Sequence, residues 1–552
     1  MKKILTVQTG FLCVRTELHS LKKIGGECFW CADSLRRGSA SLQSKKIRGR
    51  TSDPQRTKEV SVDPARIHKW TIFKVVGVKL AEKVFKASDV DRERVAALLG
   101  RYPESEFQVV VRDRDDSPVV IKNYPLLADG TPMPTLFWLV GKREREAVSR
   151  LEAAGYIKII NELFPSETIE NDHLTYGRER DKLLAADYRG PRPSGGVGGT
   201  RRGVKCLHAH LAAYLAGTGD TVGRYCAKLL TDELDGPVGA IDCGSNSTRL
   251  LVLGPKQDIL ARKMKITRLG QGVDATGTFA ESAIERTVSA LREYRDILDS
   301  FGAVKVRAIA TAAARDVLNA EEFVRMASEV LDCNLEILSG EEEGKLAYKG
   351  ATMGLPEENG SYLVVDIGGG STELVAGDKN GIKSLASLPM GCVRITERFS
   401  LTGRQSNSPD IDSGSGRFAG SGGNTVSAKD YIRELLDQAV LRYPAFLEAD
   451  TLVGVAGTVS ALARMNLGIA DYNDTKTHHH VLGKEFVQET AALLPMLSVE
   501  ERVQKLHVEP GRADVILGGV LILEQVMDVL GQDKITVSET DILDGVALSV
   551  MN

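Results

Sequence analysis

The chain has 552 residues, 42% of them apolar and 26% charged, with a formal net charge of −3. That length exceeds what one core can serve and implies three or four units, while a balanced total charge neither demands nor excludes an anionic partner. No run approaches the ~18 apolar residues of a membrane-spanning helix, and eight scattered cysteines in a chain too large to need disulfide staples imply reduced thiols and a cytoplasmic protein.

Residues 1–86 open with a signal-like Lys2-Lys3, but Gln8 and the threonines break the apolar stretch and no clean cleavage site follows. Rich in Lys, Arg, Ser and Gly, the segment reads as a poorly ordered leader, either a loose nucleic-acid-binding arm or the product of a start placed too far upstream. Its Cys28-Phe29-Trp30-Cys31 lacks the second pair or βαβ context that metal or redox use requires.

Residues 87–232 carry an amphipathic stretch (Val90 to Leu99), strand-like Phe107 to Val111, Pro118 to Ile121 and Leu136 to Gly141, and a helix from Ala147 to Ala154. A Gly/Pro-rich loop, Gly190 to Gly203, precedes a helical run from Cys206 to Leu230. Cys206, His208 and His210 are metal-ligand types, yet spacing at i, i+2 and i+4 does not put all three on one helix face. A small α+β domain is the expectation.

From Pro237 the pattern alternates strands and helices, as in an α/β domain, and one phrase occurs twice. Asp242-Cys-Gly-Ser-Asn-Ser-Thr-Arg-Leu250 and Asp366-Ile-Gly-Gly-Gly-Ser-Thr-Glu-Leu374 each stand between two apolar runs, so each reads as a β-hairpin with a polar tip. Tip glycines let backbone N–H groups approach an anion, the hydroxyls add donors, and the leading Asp can hold Mg²⁺ bridged to phosphate. Two such hairpins imply two similar domains that share one phosphate cleft.

A helix runs from Ala280 to Ser300 and stops at Gly302. Between the hairpins, Leu335 to Leu338 is a short strand and Ser339 with Glu342 forms a capping box, placing Glu341, Glu342 and Glu343 in the first helical turn. The helix dipole alone favours acids there, but a carboxylate at the crossing between two halves of a phosphate cleft can also activate water. Ser406 to Asn424 reads as an inserted surface loop, and His478-His479-His480 as a loop at the cleft mouth. Arg394, Arg268 and Lys345 are either solvated surface charge or part of a polyanion track.

These motifs, together with Arg315-Asp316, Leu388-Pro-Met-Gly-Cys-Val-Arg394, Gly454-Val-Ala-Gly457-Thr458, Glu509-Pro-Gly-Arg512-Ala-Asp514 and Ser538 to Gly545, resemble the exopolyphosphatase / guanosine pentaphosphate phosphohydrolase (Ppx/GppA) family over residues 237–552. The resemblance implies two RNase H-like domains of the actin/Hsp70/sugar kinase superfamily, at 237–358 and 359–552, with the active cleft between them. It implies a Mg²⁺-dependent phosphohydrolase in which Glu343 is the general base and Glu342 a weaker candidate. Arg315 would contact the terminal phosphoryl group, and Asp366, Asp242 and Glu373 would face the metal. Ser245, Asn246, Ser247, Gly368, Gly369, Gly370, Ser371, Gly457 and Thr458 would cradle substrate. Residues 87–232 resemble a small bacterial domain family of unknown function, through Gly196-Val-Gly-Gly-Thr-Arg-Arg-Gly-Val-Lys-Cys-Leu-His-Ala-His210.

The expected substrate is inorganic polyphosphate, with guanosine pentaphosphate the alternative. Competing readings are an ATP-dependent kinase of the same superfamily, which Glu343 at a helix start argues against, and a sensor that binds polyphosphate or alarmone with little catalysis. A homodimer is implied by the family alone.

Overall fold

The computed structural model describes residues 86–315, 317–356, 360–401, 421–469 and 474–551. The leader through residue 85 with its Cys28 and Cys31, Asp316, and the expected inserted loop as far as residue 420 lie outside the described residues; its last residues, 421–424, belong instead to the helix Ser421–Arg442.

The first domain is α+β, as expected. A helix over Asp89–Leu99, capped by Ser88, packs on a three-stranded antiparallel sheet of β1 (Phe107–Arg112), β2 (Pro118–Asn123) and β3 (Phe137–Leu139). Helices over Lys142–Ala153, Tyr156–Leu163 and Ser166–Asp181 follow; the latter two were not expected, Tyr156–Leu163 being only eight residues long and Ser166–Asp181 having no continuous apolar stripe. The expected run from Cys206 to Leu230 is two helices, Leu207–Leu215 and Thr221–Leu229. The break falls where Gly217 and Gly219 adopt positive φ (82° and 69°), a backbone state that L side chains resist. This domain docks on the next through the Tyr214 hydroxyl, which donates to the Ala303 carbonyl at 2.7 Å, and an Arg224–Asp299 ion pair at 2.8 Å.

Two sheets follow with the same wiring. β4 (Val238–Cys243), β5 (Ser247–Leu253), β6 (Ile259–Ile266), β7 (Lys305–Ala310) and β8 (Leu335–Ile337) lie in the order β6-β5-β4-β7-β8. β9 (Tyr362–Ile367), β10 (Thr372–Asp378), β11 (Gly381–Leu388), β12 (Thr451–Val455), β13 (Val481–Gly483) and β14 (Lys534–Val537) lie in the order β11-β10-β9-β12-β14-β13. In both, three antiparallel strands are extended by strands parallel to the first of them, β7 and β8 in one and β12 and β14 in the other, with β13 added antiparallel at the second sheet's edge. This is the RNase H-like arrangement, present twice. β4 and β9 are buried at every position, as central strands covered on both faces must be.

The boundary expected at 358/359 is not clean. The last helix, Ile542–Val550, returns to the first sheet and buries Ile542, Leu543, Val546 and Ala547 against Val238, Ala240, Leu251 and Ile309. The helix Gly340–Ala351 in turn lays Ala351 on Tyr362, Val364 and Val375 of the second sheet. These two helices meet at Gly350 and Gly545, where a Cβ would collide with the Asp541 and Leu346 carbonyls. The halves are thereby stitched together through a helix pair beneath the cleft.

Candidate active site

Both hairpins form as expected, each with its polar residues at the tip. Their tips close identically, Gly244 N–H donating to the Ser247 carbonyl and Gly368 N–H to the Ser371 carbonyl, each at 3.0 Å. Both tips line a cleft of about 370 Å³, with Asp242, Ser245, Asn246, Ser247, Glu343, Asp366, Gly368, Gly369, Gly370, Ser371 and Gly457 among its walls. The glycines serve a purpose besides anion approach. A Cβ on Gly369 would stand 2.6 Å from the Ser245 Cβ, and one on Gly370 3.0 Å from the Ser245 Oγ. They let one tip pack against the other, and none of the tip glycines has positive φ.

Register also sets the charges. Opposite residues on a strand pair face the same side, so Asp242 pairs with Arg249 and Asp366 with Glu373. In the first hairpin this is an ion pair, with Asp242 Oδ2 2.7 Å from Arg249 Nη2. In the second it sets two buried carboxylates directly opposite each other. Glu373 Oε1 accepts hydrogen bonds from the Ser371 and Ser387 hydroxyls, both at 2.7 Å. Arg249 bridges on to Asp541, the cap of the last helix. Burial pushes the Asp242 and Asp366 carboxyls up, against the pull of Arg249, and Glu373 adds to the rise at Asp366.

The structure separates the three glutamates of the helix start. Glu342 is the exposed half of the capping box, its carboxylate accepting from the Ser339 backbone N–H at 3.1 Å. Glu341 pairs with Lys345 at 2.5 Å. Glu343 alone is buried, 6% exposed, and lines the cleft. It forms an ion pair with Arg315, whose guanidinium also reaches the Ser387 hydroxyl at 3.5 Å and Glu373 at 3.9 Å. Burial first, then the neighbouring Glu373 charge, hold the Glu343 carboxyl well above the usual range, with Arg315 opposing. Arg315 and Glu373 do not themselves line the cavity and reach it through Glu343.

Five acids (Asp242, Asp366, Asp541, Glu343, Glu373) therefore surround two guanidiniums. Asp242 Oδ1 and Glu373 Oε2 are buried with no hydrogen-bond partner. Excess buried negative charge with orphaned oxygens fits a divalent cation. A single tight ligand set of Asp242, Asp366 and Glu373 does not form: among the described residues, trios of ligand-type atoms all within 4.8 Å of one another occur only in the first domain. The arrangement fits Mg²⁺ held by one or two carboxylates, with phosphate oxygens and water completing the shell.

Thr458 is a correction. It is 1% exposed, absent from the cleft lining, and packed where a Cβ on Gly519 would strike its hydroxyl; the helix Ala456–Leu467 turns it toward the core. Gly457 does line the cleft, and the Arg512 guanidinium covers it. Arg268, Arg394 and Lys345 pair with Asp514, Asp274 and Glu341, which favours the surface-charge reading. His478 Nδ1 accepts from the N–H of Glu539, a cleft residue, so the histidine run does sit by the cleft. Arg249, Asp541, Arg464 and Arg512 were missed as site residues. Arg249 had a signal in its hairpin position opposite Asp242, and Arg512 and Asp541 lie inside the motifs that carry the family resemblance, whereas Arg464 had none.

In the first domain His208 and His210 diverge. His210 is fully buried, its Nδ1 2.9 Å from both Asp220 oxygens, whereas His208 lies part-exposed beside Cys206 and Glu152.

A family model described as the Ppx/GppA phosphatase family matches residues 254–552, and one described as a protein of unknown function, DUF501, matches residues 109–228. The chain is 39% identical over 331 residues to exopolyphosphatase 2 of Mycobacterium tuberculosis, covering 57% of this chain and 98% of that protein. It is 33% identical over 319 residues to guanosine-5'-triphosphate,3'-diphosphate pyrophosphatase of Vibrio vulnificus, covering 57% of this chain and 59% of that one. A solved exopolyphosphatase-like protein superposes with a TM-score of 0.51 at 31% identity, covering 57% of this chain and 98% of its own.

Proposed function

From the premise that this chain belongs to the Ppx/GppA phosphatase family, and with it to the phosphoanhydride hydrolases, we propose that it removes the terminal phosphate of inorganic polyphosphate. The observation that carries the mechanism is the buried Glu343, raised in pKa, paired with Arg315 and lining the cleft between the two tips.

The tips hold the terminal phosphoryl group through their backbone N–H groups and the Ser245, Ser247 and Ser371 hydroxyls. Glu343 takes a proton from the attacking water, the water oxygen bonds to phosphorus, and the anhydride P–O bond breaks to leave a chain one phosphate shorter. Arg315 holds the Glu343 carboxylate toward the cleft and lends positive charge as the base form is made. Glu373, fixed by Ser371 and Ser387, holds Arg315 in turn. Mg²⁺ bound by Asp366 or Asp242 and the phosphate oxygens would offset the charge on the transferring group.

Polyphosphate is favoured over guanosine pentaphosphate by the character of the cleft lining. Arg262, Lys263, Arg464 and Arg512 line it beside Glu509, Glu539 and Asp541, with Arg464 and Arg512 paired to Glu509, and among the described residues no aromatic side chain does. A charged lining without a stacking surface suits a repeating anion better than a purine. The kinase reading would set Gly454 to Thr458 against an adenosine, and the Arg512 guanidinium covers Gly457 there.

The test is Mg²⁺-dependent phosphate release from long polyphosphate and, separately, from guanosine pentaphosphate. Faster release from polyphosphate supports the proposal, and a preference for the nucleotide establishes the alternative. Binding without release from either would move the chain to the sensor reading.

A further inference from the structure

The first domain holds a second cluster of chemically able side chains, far in sequence from the phosphate cleft. Glu152 stands in the helix Lys142–Ala153, Cys206 caps the helix Leu207–Leu215, and His208 lies in the first turn of that helix. One ligand atom from each lies within 4.8 Å of the other two, and all three residues are part-exposed. The Gly-rich loop that ends at Gly203 and the short link to Cys206 deliver the thiol to the helix start.

The hydrogen bonds fix which ring nitrogen is free. His208 Nε2 stands 3.2 Å from the Arg145 backbone carbonyl, an acceptor only, so this nitrogen carries the proton. Ser149 Oγ, 3.1 Å away, lies on the same nitrogen. In the neutral ring Nδ1 is then a lone pair, and it faces Glu152 Oε1 at 3.1 Å. That oxygen is itself held in place by the Leu207 N–H at 2.6 Å. Two lone pairs and a sulfur thus converge on one point from a rigid frame, and a positive species belongs between them. A metal uses all three groups at once.

We propose that Glu152, Cys206 and His208 form a binding site for a zinc-class divalent cation, with its fourth position open to water. One sulfur, one nitrogen and one oxygen ligand match the borderline-soft preference of Zn²⁺, whose bonds of about 2.0–2.3 Å set neighbouring ligand atoms roughly 3.5 Å apart. The Glu152–His208 separation of 3.1 Å already approaches that spacing. An Nε2–H donated to a backbone carbonyl is the outer-shell contact that metal-bound histidines use to hold their ring. The part exposure of all three residues leaves room for a water as fourth ligand, the arrangement of open rather than purely structural zinc sites. His210 belongs to a separate buried arrangement with Asp220, which caps the following helix through the Gly223 N–H at 2.7 Å, so it is not a ligand here.

The test uses the full-length protein stripped with chelator. Iodoacetamide labelling of Cys206, followed by peptide mass spectrometry, is expected to slow at least tenfold with one equivalent of Zn²⁺ and to recover with chelator. Co²⁺ is expected to give a thiolate-to-metal charge-transfer band that the all-oxygen ligands of the phosphate cleft cannot produce. That band should vanish in Cys206→Ser and weaken in His208→Ala and Glu152→Gln, with Mg²⁺-dependent phosphate release retained as evidence of folding. Cys206 labelled equally with and without zinc, or a cobalt band that survives Cys206→Ser and so belongs to Cys28 and Cys31 or another thiol, overturns the proposal.

Discussion

Glu343→Gln keeps the side chain's shape and an acceptor for Arg315 while removing the basic oxygen. A positioned general base contributes about 10²–10⁴-fold, so kcat is expected to fall by that factor, about 3–5 kcal/mol of barrier at about 1.36 kcal/mol per decade. KM should change little, because in the proposed mechanism the tips and not Glu343 carry the phosphate contacts. The thermal midpoint should hold or rise, since the change removes one of five buried acids that two guanidiniums only partly balance. The pH profile gives the stricter check. Because the Glu343 pKa is raised, its base form exists only above that raised value; wild-type turnover is lost as pH falls through it, well above the ~4.3 of an ordinary glutamate. The variant should lose that acid limb. Steady-state phosphate release from polyphosphate at saturating Mg²⁺ across pH reads both effects. A drop smaller than tenfold, or an unchanged acid limb, would refute Glu343 as the base.

Arg315→Lys replaces a fork that reaches Glu343, Ser387 and Glu373 with a single ammonium. Loss of charged hydrogen bonds worth about 1.5–3 kcal/mol should lower kcat roughly ten- to a hundredfold with an unchanged circular dichroism spectrum; wild-type turnover would contradict it. Gly369→Ala drives a methyl to 2.6 Å from Ser245 Cβ, an overpacking of about 1–3 kcal/mol, so both thermal midpoint and phosphate release should fall, and an unaltered midpoint would show that the tips do not pack this closely. In chelator-treated protein the raised Asp366 and Glu373 carboxyls bind protons more tightly folded than unfolded. Their stabilisation is full below the unfolded pKa of about 4 and is lost as pH rises through the folded values. The metal-free midpoint should therefore fall with rising pH and Mg²⁺ should restore most at the alkaline end, as calorimetry with and without Mg²⁺ would read; equal Mg²⁺ stabilisation at every pH would count against a cation at these carboxylates.

Much of the site was legible because hairpins and helix starts are local. The Asp242 and Asp366 phrases set their own register, since side chains alternate with period two and each tip is short. That register alone places Arg249 opposite Asp242 and Glu373 opposite Asp366. The Ser339/Glu342 capping box likewise assigns Glu342 to the cap, which leaves Glu343, one residue on, facing inward. Thr458 misled because its motif borders the cleft, but each helical step turns the side chain about 100°, so the neighbour of a cleft residue can face the core. The helical run expected from Cys206 to Leu230 is helical but divided where two glycines take positive φ, a break the apolar pattern does not reveal.

By itself, the sequence determined the repeated Gly/Ser-tipped hairpins, the helix that presents Glu343, and the α/β alternation of residues 237–552, all of them short-range consequences of periodicity and capping. Tertiary structure decided what meets across long stretches of chain. It set Arg249 on Asp541, 292 positions away, seated Gly369 on Ser245, returned the last helix to the first sheet, and parted His208 from His210 to join Cys206 with Glu152. The physical reason is that local spacing fixes which way a side chain points, whereas its partner is fixed by how buried surfaces pack, and that is a property of the whole topology.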